Sequence, residues 1–305
     1  MENRVYEVEI EADRPELHAT APERFRVAKF YRPGRWTQSQ IEAEHQFLLD
    51  LQAAEIPAII PLHLNDGKTV GSMPDTGIFF AIFAKIGGRN PDELNELQLR
   101  SVGRLLARLH GVGALREAPE RIRLDPETYG WDNLDWLLEM EVIPEEIEDR
   151  YAEVVEEIAD RSFPWFEAAS FQRIHGDAHL GNLLWNDQGP FWVDFDDMVM
   201  GPPVQDLWLI APGRDNDSRR NFSILLEAYC EMEEFDRSSL RLIEPLRALR
   251  YVHFSAWIAR RWEDVAFQRK FEFFGSDRYW REQLADLEES LFEIRNQGLP
   301  KDYDS

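Results

Sequence analysis

Apolar and acidic residues alternate near the start of the chain. Tyr6, Val8 and Ile10 are interleaved with Glu7, Glu9 and Glu11, the period-two pattern of a strand with one buried face. A second strand is expected over residues 25–31, carrying one lysine, Lys29, among apolar neighbours. Thr37 or Ser39 can cap a helix running to about residue 54, with Ile41, Leu48 and Leu51 on one face and Pro57 beyond its end. Residues 57–64 and 77–86 are further strand candidates, separated by a turn-rich stretch over 65–77.

After Gly87 the period changes. Asn90-Pro91-Asp92-Glu93 offers a helix cap, a proline for the first helical position and a glutamate for the third. Leu94, Leu97, Leu105 and Leu109 then follow at helical spacing, and Ile147, Tyr151, Val154 and Ile158 repeat it over residues 145–160. Two short apolar segments, 182–185 and 191–195, flank Asn186-Asp187-Gln188-Gly189, which predicts a hairpin. Three more helices are expected over 218–234, 239–262 and 277–296. The pattern is α+β, with a small β-rich lobe over residues 1–87 joined near Gly87-Gly88 to a larger helical lobe over residues 88–305.

Composition narrows the partners. A chain of 305 residues can bury a sizeable core. Its longest uninterrupted apolar run, residues 78–84, is too short to cross a bilayer, and the acidic start has no apolar segment of a secretory signal. The single cysteine, Cys230, excludes an internal disulfide and fits a reducing cytoplasm. A net charge of −24 repels phosphate backbones, so nucleic acid is not an expected partner. The short apolar runs make a membrane no expected partner either, and a monomer is the default expectation, which no residue pattern here specifies. A nucleotide is still compatible with that charge, because a bound metal and a few placed cations reverse the local field.

The segment His175-Gly176-Asp177-Ala178-His179-Leu180-Gly181-Asn182, followed after a hairpin-sized gap by Val193-Asp194-Phe195-Asp196-Asp197, is the most informative in the chain. Phosphoryl transfer needs a carboxylate near the attacking hydroxyl, oxygen ligands for Mg²⁺ and control of phosphate charge. Asp177 and Asn182, five residues apart on one loop, can face the hydroxyl and the metal together. Asp194, at the end of the returning strand, adds an oxygen donor suited to a hard cation.

These segments resemble the catalytic and metal-binding motifs of the aminoglycoside-phosphotransferase-like kinases, which have a two-lobed, protein-kinase-like fold. The resemblance extends to one branch, the bacterial stress-response kinase A proteins, through Asn3-Arg4-Val5-Tyr6, Lys29-Phe30-Tyr31-Arg32-Pro33, Glu44-His45-Gln46-Phe47 and Gly201-Pro202. Val204-Gln205-Asp206-Leu207-Trp208, Ile243-Glu244-Pro245-Leu246-Arg247-Ala248 and residues 257–262 carry it on to about residue 280. The resemblance implies a Ser/Thr protein kinase using ATP and Mg²⁺. By position it implies Asp177 as catalytic base, Asn182 and Asp194 as Mg²⁺ ligands, Lys29 on the α and β phosphates, and Glu44 orienting Lys29 from the helix. From the residues alone, Lys29 reads equally as an edge-strand lysine. Asp206 reads either as an anchor for the catalytic loop or as an ordinary acid at a helix start.

The fold implied by the resemblance places a phosphate-covering loop between its first two strands, yet residues 1–33 contain no glycine. The expectation is that a first strand and much of that loop lie upstream of Met1, and that the 305-residue form binds ATP weakly. Three other readings stay open. A small-molecule hydroxyl kinase would share the motifs, and a nucleotide-binding pseudokinase would follow from the missing loop. A metal hydrolase is suggested by the H-x-D-x-H run of His175, Asp177 and His179, with His18, His45, His63, His110 and His253 as the other histidines.

Overall fold

The computed structural model describes residues 3–10 and 25–297. In chain order the elements are β1 (Arg4–Glu9), β2 (Phe25–Phe30), α1 (Gln38–Ala53), β3 (Gly71–Ser72), β4 (Phe79–Ala84) and α2 (Glu96–Gly113). After a π-helical turn at Pro126–Trp131 come α3 (Asp132–Glu139), α4 (Glu145–Glu167), β5 (Gln172–Ile174), β6 (Leu183–Asn186), β7 (Gly189–Trp192) and β8 (Val199–Gly201). The chain continues through α5 (Val204–Trp208), α6 (Asn216–Cys230), α7 (Ile243–Ala259), α8 (Val265–Lys270) and α9 (Asp277–Asn296). It divides into two compact units, one drawn from Glu2–Arg121 and Phe171–Phe235, the other from Ile122–Ser170 and Asp236–Ser305.

The first unit carries an antiparallel sheet in the order β1-β2-β4-β3. β2 is an inner strand, with Val5 of β1 and Ala81 of β4 on either side of Lys29, so Lys29 is not the edge-strand lysine that its sequence context allowed. Helix α1 starts where its capping box dictates. The Gln40 N–H donates to Thr37 Oγ1 at 3.3 Å, and the Thr37 N–H to Gln40 Oε1 at 2.9 Å. Its buried face holds Ile41, Phe47, Leu48 and Leu51, and also Glu44 and His45. The strand expected over 57–64 does not form. Pro57 and Pro61 offer no N–H, and the segment makes only single bridges, Ala58 to Trp192 and Pro61 to Phe83. Short β3 forms instead within the stretch read as turns.

Helix α2 begins later than its sequence suggests. Its cap is Asn95, reciprocated by Gln98, and Asn90 to Leu94 lie outside the helix. The hairpin β6–β7 turns at the predicted place, with Asn186 opposite Gly189 and the Gly189 φ at 114°. β5 pairs with β8.

The second unit is helical. Leu134, Leu137, Tyr151, Val154, Ile158, Val252, Leu287 and Leu291 are among its buried core, with Trp280 edge-on to Tyr151. α4 outruns its expected end at residue 160 and passes through Pro164 to bury Phe166. α9 has the expected bounds, and α7 is shorter than expected because residues 237–242 form a 3₁₀ turn. Among the described residues no helix is long and apolar enough to cross a membrane.

Candidate active site

The loop after β5 is held from beneath by a fully buried carboxylate. Asp206, at 0% exposure, accepts the His175 N–H at Oδ2 and the Gly176 N–H at Oδ1, each at 2.8 Å. His110 Nε2 lies 3.0 Å from the same Oδ2, and its Nδ1 lies 3.1 Å from the Tyr229 hydroxyl. Of the two readings of Asp206, the loop anchor is the one observed. His110, met in the sequence only as one of the other histidines, is part of that anchor. Gly176 has a φ of 83°, and a Cβ there would come within 2.2 Å of the Asp197 carbonyl oxygen, so only glycine fits the turn.

His175 itself points inward. Its ring is buried against Phe195 and Trp192, Nε2 donates to the Val193 carbonyl at 2.9 Å, and Nδ1 accepts the Asp177 N–H at 3.3 Å. With both nitrogens engaged it cannot serve as the metal ligand that a hydrolase would need. His179 is at the surface, its Nε2 3.3 Å from Asp177 Oδ2. His18 lies outside the described residues.

The structure joins Asp177 and Asn182. The Asn182 amide nitrogen donates to the Asp177 carbonyl oxygen at 3.0 Å and reaches Asp177 Oδ2 at 3.2 Å. That orientation presents the Asn182 Oδ1 as an acceptor for a cation. The Val193 N–H donates to the Asn182 carbonyl at 3.0 Å, so Asp194, one residue on, stands at the same end of the hairpin. Asp194 is in the left-handed region, with φ at 62°, and its side chain is 57% exposed. One carboxylate and one amide oxygen at a hairpin mouth suit Mg²⁺, which takes one or two protein carboxylates and completes its shell with phosphate and water.

Lys29 meets this mouth from β2. Its ammonium lies 3.3 Å from Asp194 Oδ1 and hydrogen-bonds Asp196. Burial alone would lower the Lys29 pKa, but Asp196, with Glu44 and Asp194 behind it, outweighs burial and raises it above the usual lysine value. Glu44 stands close enough to act on that charge without being its hydrogen-bond partner, and its Oε2 has no partner among the described residues. Burial pushes the Glu44 carboxyl up to about 8. The folded state therefore holds this proton more tightly than the unfolded chain does. The associated stability is complete below about 4.5 and is lost as pH rises through about 8. Glu44→Gln, neutral throughout, is expected to gain thermal stability relative to the parent as pH rises across that window without nucleotide. Unfolding curves that stay parallel would refute it.

Sequence reasoning gave no role to Asp196, Arg35 or Arg121. Asp196 is 3% exposed and also accepts from the Asn3 amide. Arg35 pairs with Asp197 at 2.6 Å. Arg121 donates to the carbonyls of Asp196 and Met198 and packs over the Trp36 ring at 4.1 Å. Only the nearness of Asp196 and Asp197 to Asp194 in sequence hinted at them. Arg121 lies 75 residues from the loop it braces, and no local pattern marks it.

The family model described as "Phosphotransferase enzyme family" matches residues 1–243. Stress response kinase A of Escherichia coli (strain K12) is 39% identical over 285 residues, covering 93% of this chain and 83% of that protein. The "Serine/threonine protein kinase RdoA" of Salmonella typhimurium (strain LT2) is 38% identical over 283 residues, covering 92% and 82%. Among solved structures, the amicoumacin kinase hAmiN in complex with AMP-PNP, Ca²⁺ and Ami superposes with a TM-score of 0.73 at 18% identity, over 96% of this chain and 86% of that one. Spectinomycin phosphotransferase APH(9)-Ia follows with a TM-score of 0.61 at 15% identity, over 89% and 86%. These two establish a fold with a small sheet-containing amino-terminal lobe and a larger helical lobe. The chain belongs to the phosphotransferase enzyme family, in the group of the stress response kinase A proteins, and it is a kinase.

Proposed function

We propose that this kinase transfers the γ-phosphate of ATP to a serine or threonine hydroxyl of a protein, with Mg²⁺ as the required cation. The observation that carries the reading is the convergence at one hairpin mouth of the Asp177–Asn182 pair, Asp194 and the Lys29 ammonium. In this reading Asp177 accepts the proton of the attacking hydroxyl, and Lys29 holds the α and β phosphates. Asn182 and Asp194 would hold Mg²⁺, which supplies charge neutralisation at the phosphates. Glu44 stands beside Lys29 on α1 without hydrogen-bonding it, and its charge acts on the ammonium only where the carboxyl is ionised, above about 8. Residues 1–87 carry the nucleotide side and residues 88–305 the catalytic and substrate side. A monomer acting in the cytoplasm, in a stress response, accords with the single cysteine and the names of the relatives.

The protein hydroxyl is favoured by the relative named as a serine/threonine protein kinase. The small-molecule alternative draws on antibiotic kinases of the same fold. Incubation with labelled ATP, Mg²⁺ and a generic basic protein is expected to put label on Ser or Thr. Label appearing only on an aminoglycoside or metabolite from a panel would move the assignment to a small-molecule kinase, and no turnover of Mg·ATP at all would make the chain a pseudokinase.

A further inference from the structure

Asn90 stands where the sequence pattern offers a helix cap, but Asn95 takes that role and leaves Asn90 in the linker ahead of α2. Its side chain is turned to the catalytic loop instead. The terminal amide nitrogen lies 3.3 Å from the carbonyl oxygen of Leu180, 2.7 Å from that of Gly181 and 3.0 Å from that of Leu183. Three acceptors around a single terminal atom leave only the nitrogen as its identity. Gly181 and Leu183 are the two neighbours of Asn182, so one amide grips the backbone on both sides of that residue.

The linker that presents this amide is itself fixed. Arg89 and Trp185 exchange two backbone hydrogen bonds, at 3.0 and 2.9 Å, and the Asn186 side chain reaches the Gly87 carbonyl at 3.4 Å. Gly88 packs so closely that a Cβ would meet both Leu184 Cβ and the Phe191 ring at 3.0 Å. Asn90 is thus a rigid donor, one residue past a doubly bonded bridge. The Asn182 side chain is steadied from the other direction by Asp177.

We propose that Asn90 is a positioning residue for phosphoryl transfer: its clamp on the carbonyls flanking Asn182 sets the direction of the Asn182 amide oxygen, and with it the affinity of the site for a divalent cation. The inference rests on the reading of Asn182 as a cation ligand. Groups that orient a metal ligand without touching the metal commonly govern affinity by one or two orders of magnitude. An aspartate here would aim a carboxylate at three carbonyl oxygens, and an alanine would remove the donor without adding repulsion.

The test measures Mn²⁺ binding by calorimetry in the presence of ADP, and separately the Mg²⁺ concentration needed for half-maximal turnover at saturating ATP. Asn90→Asp is expected to weaken Mn²⁺ binding about tenfold and to raise the Mg²⁺ requirement by a similar factor, with Asn90→Ala intermediate. The melting temperature and the KM for ATP at saturating metal should change little. The Asn90→Ala/Asn182→Ala double variant should bind Mn²⁺ no more weakly than Asn182→Ala alone. If Asn182→Ala weakens cation binding and neither Asn90 variant does, the clamp is refuted and the metal site stands. If the Asn90 variants lose stability and turnover with unchanged cation affinity, Asn90 is only structural. If Asn182→Ala leaves cation affinity intact, the metal assignment fails and the clamp falls with it.

Discussion

Asp194→Ala is expected to reduce phosphoryl transfer to background while the protein stays folded. On the proposed reading this carboxylate would be the main ligand of the divalent cation, and the Asn182 amide alone is a weak ligand for Mg²⁺. The Asp194 carboxylate also lies 3.3 Å from the Lys29 ammonium, so its removal takes an anionic neighbour from the lysine as well. The side chain is 57% exposed and its deletion opens no cavity. Alanine at a φ of 62° keeps the left-handed strain that aspartate bears, a local cost at an exposed turn that leaves the core untouched. Raising Mg²⁺ should rescue Asn182→Ala in part and Asp194→Ala hardly at all. Turnover of Mg·ATP near the parent rate by Asp194→Ala would sink the metal assignment. The assay should be read beside a melting curve, so that loss of chemistry is not confused with loss of fold.

The second large effect is expected from Asp177→Asn. The substitution keeps size and most hydrogen-bonding capacity but removes the carboxylate that, on the proposed reading, accepts the hydroxyl proton. Loss of a positioned base lowers kcat by about 10²- to 10⁴-fold. Nucleotide affinity should stay within a few-fold, because Asp177 touches Asn182 and His179 rather than Lys29. Single-turnover rates and ATP binding measured on the same preparation separate the two. Equal losses in both would make Asp177 a structural residue whose carboxylate merely orders the loop.

Much of this site was legible because its chemistry is local in sequence. Asp177, Asn182 and Asp194 sit on one loop and the hairpin that follows it, and a five-residue interval with a two-residue turn fixes their relation. Lys29 could be suspected but not placed, since a lone lysine on an apolar segment does not say whether its strand is inner or outer. The register against Val5 and Ala81 decides that. The expected partnership of Lys29 with Glu44 took no account of Asp196, whose position two residues past Asp194 carries no distinguishing signal. Proline explains the largest error in the fold, because an apolar run over 57–64 reads as a strand until its missing N–H groups are counted. Asn90 was misread for a related reason. A cap and a clamp use the same short amide, and only the tertiary neighbourhood chooses between them.

The division of the chain into interleaved units bears on the order in which the molecule can be made. The unit that carries the site needs Glu2–Arg121 and then, after an excursion through Ile122–Ser170, Phe171–Phe235. On a ribosome Lys29 emerges long before Asp194 and Asp196, and Asp50 long before buried Arg173, which donates to it at 2.6 Å. Synthesis of the intervening stretch at about 5–20 residues per second leaves the nascent sheet without its counter-charges for on the order of ten seconds. During that interval Lys29 lacks its hydrogen-bond partner Asp196, and the Asp50 carboxylate lacks the Arg173 guanidinium. The anchor beneath the catalytic loop is complete later still, once Tyr229 of α6 has emerged to meet His110 beside Asp206.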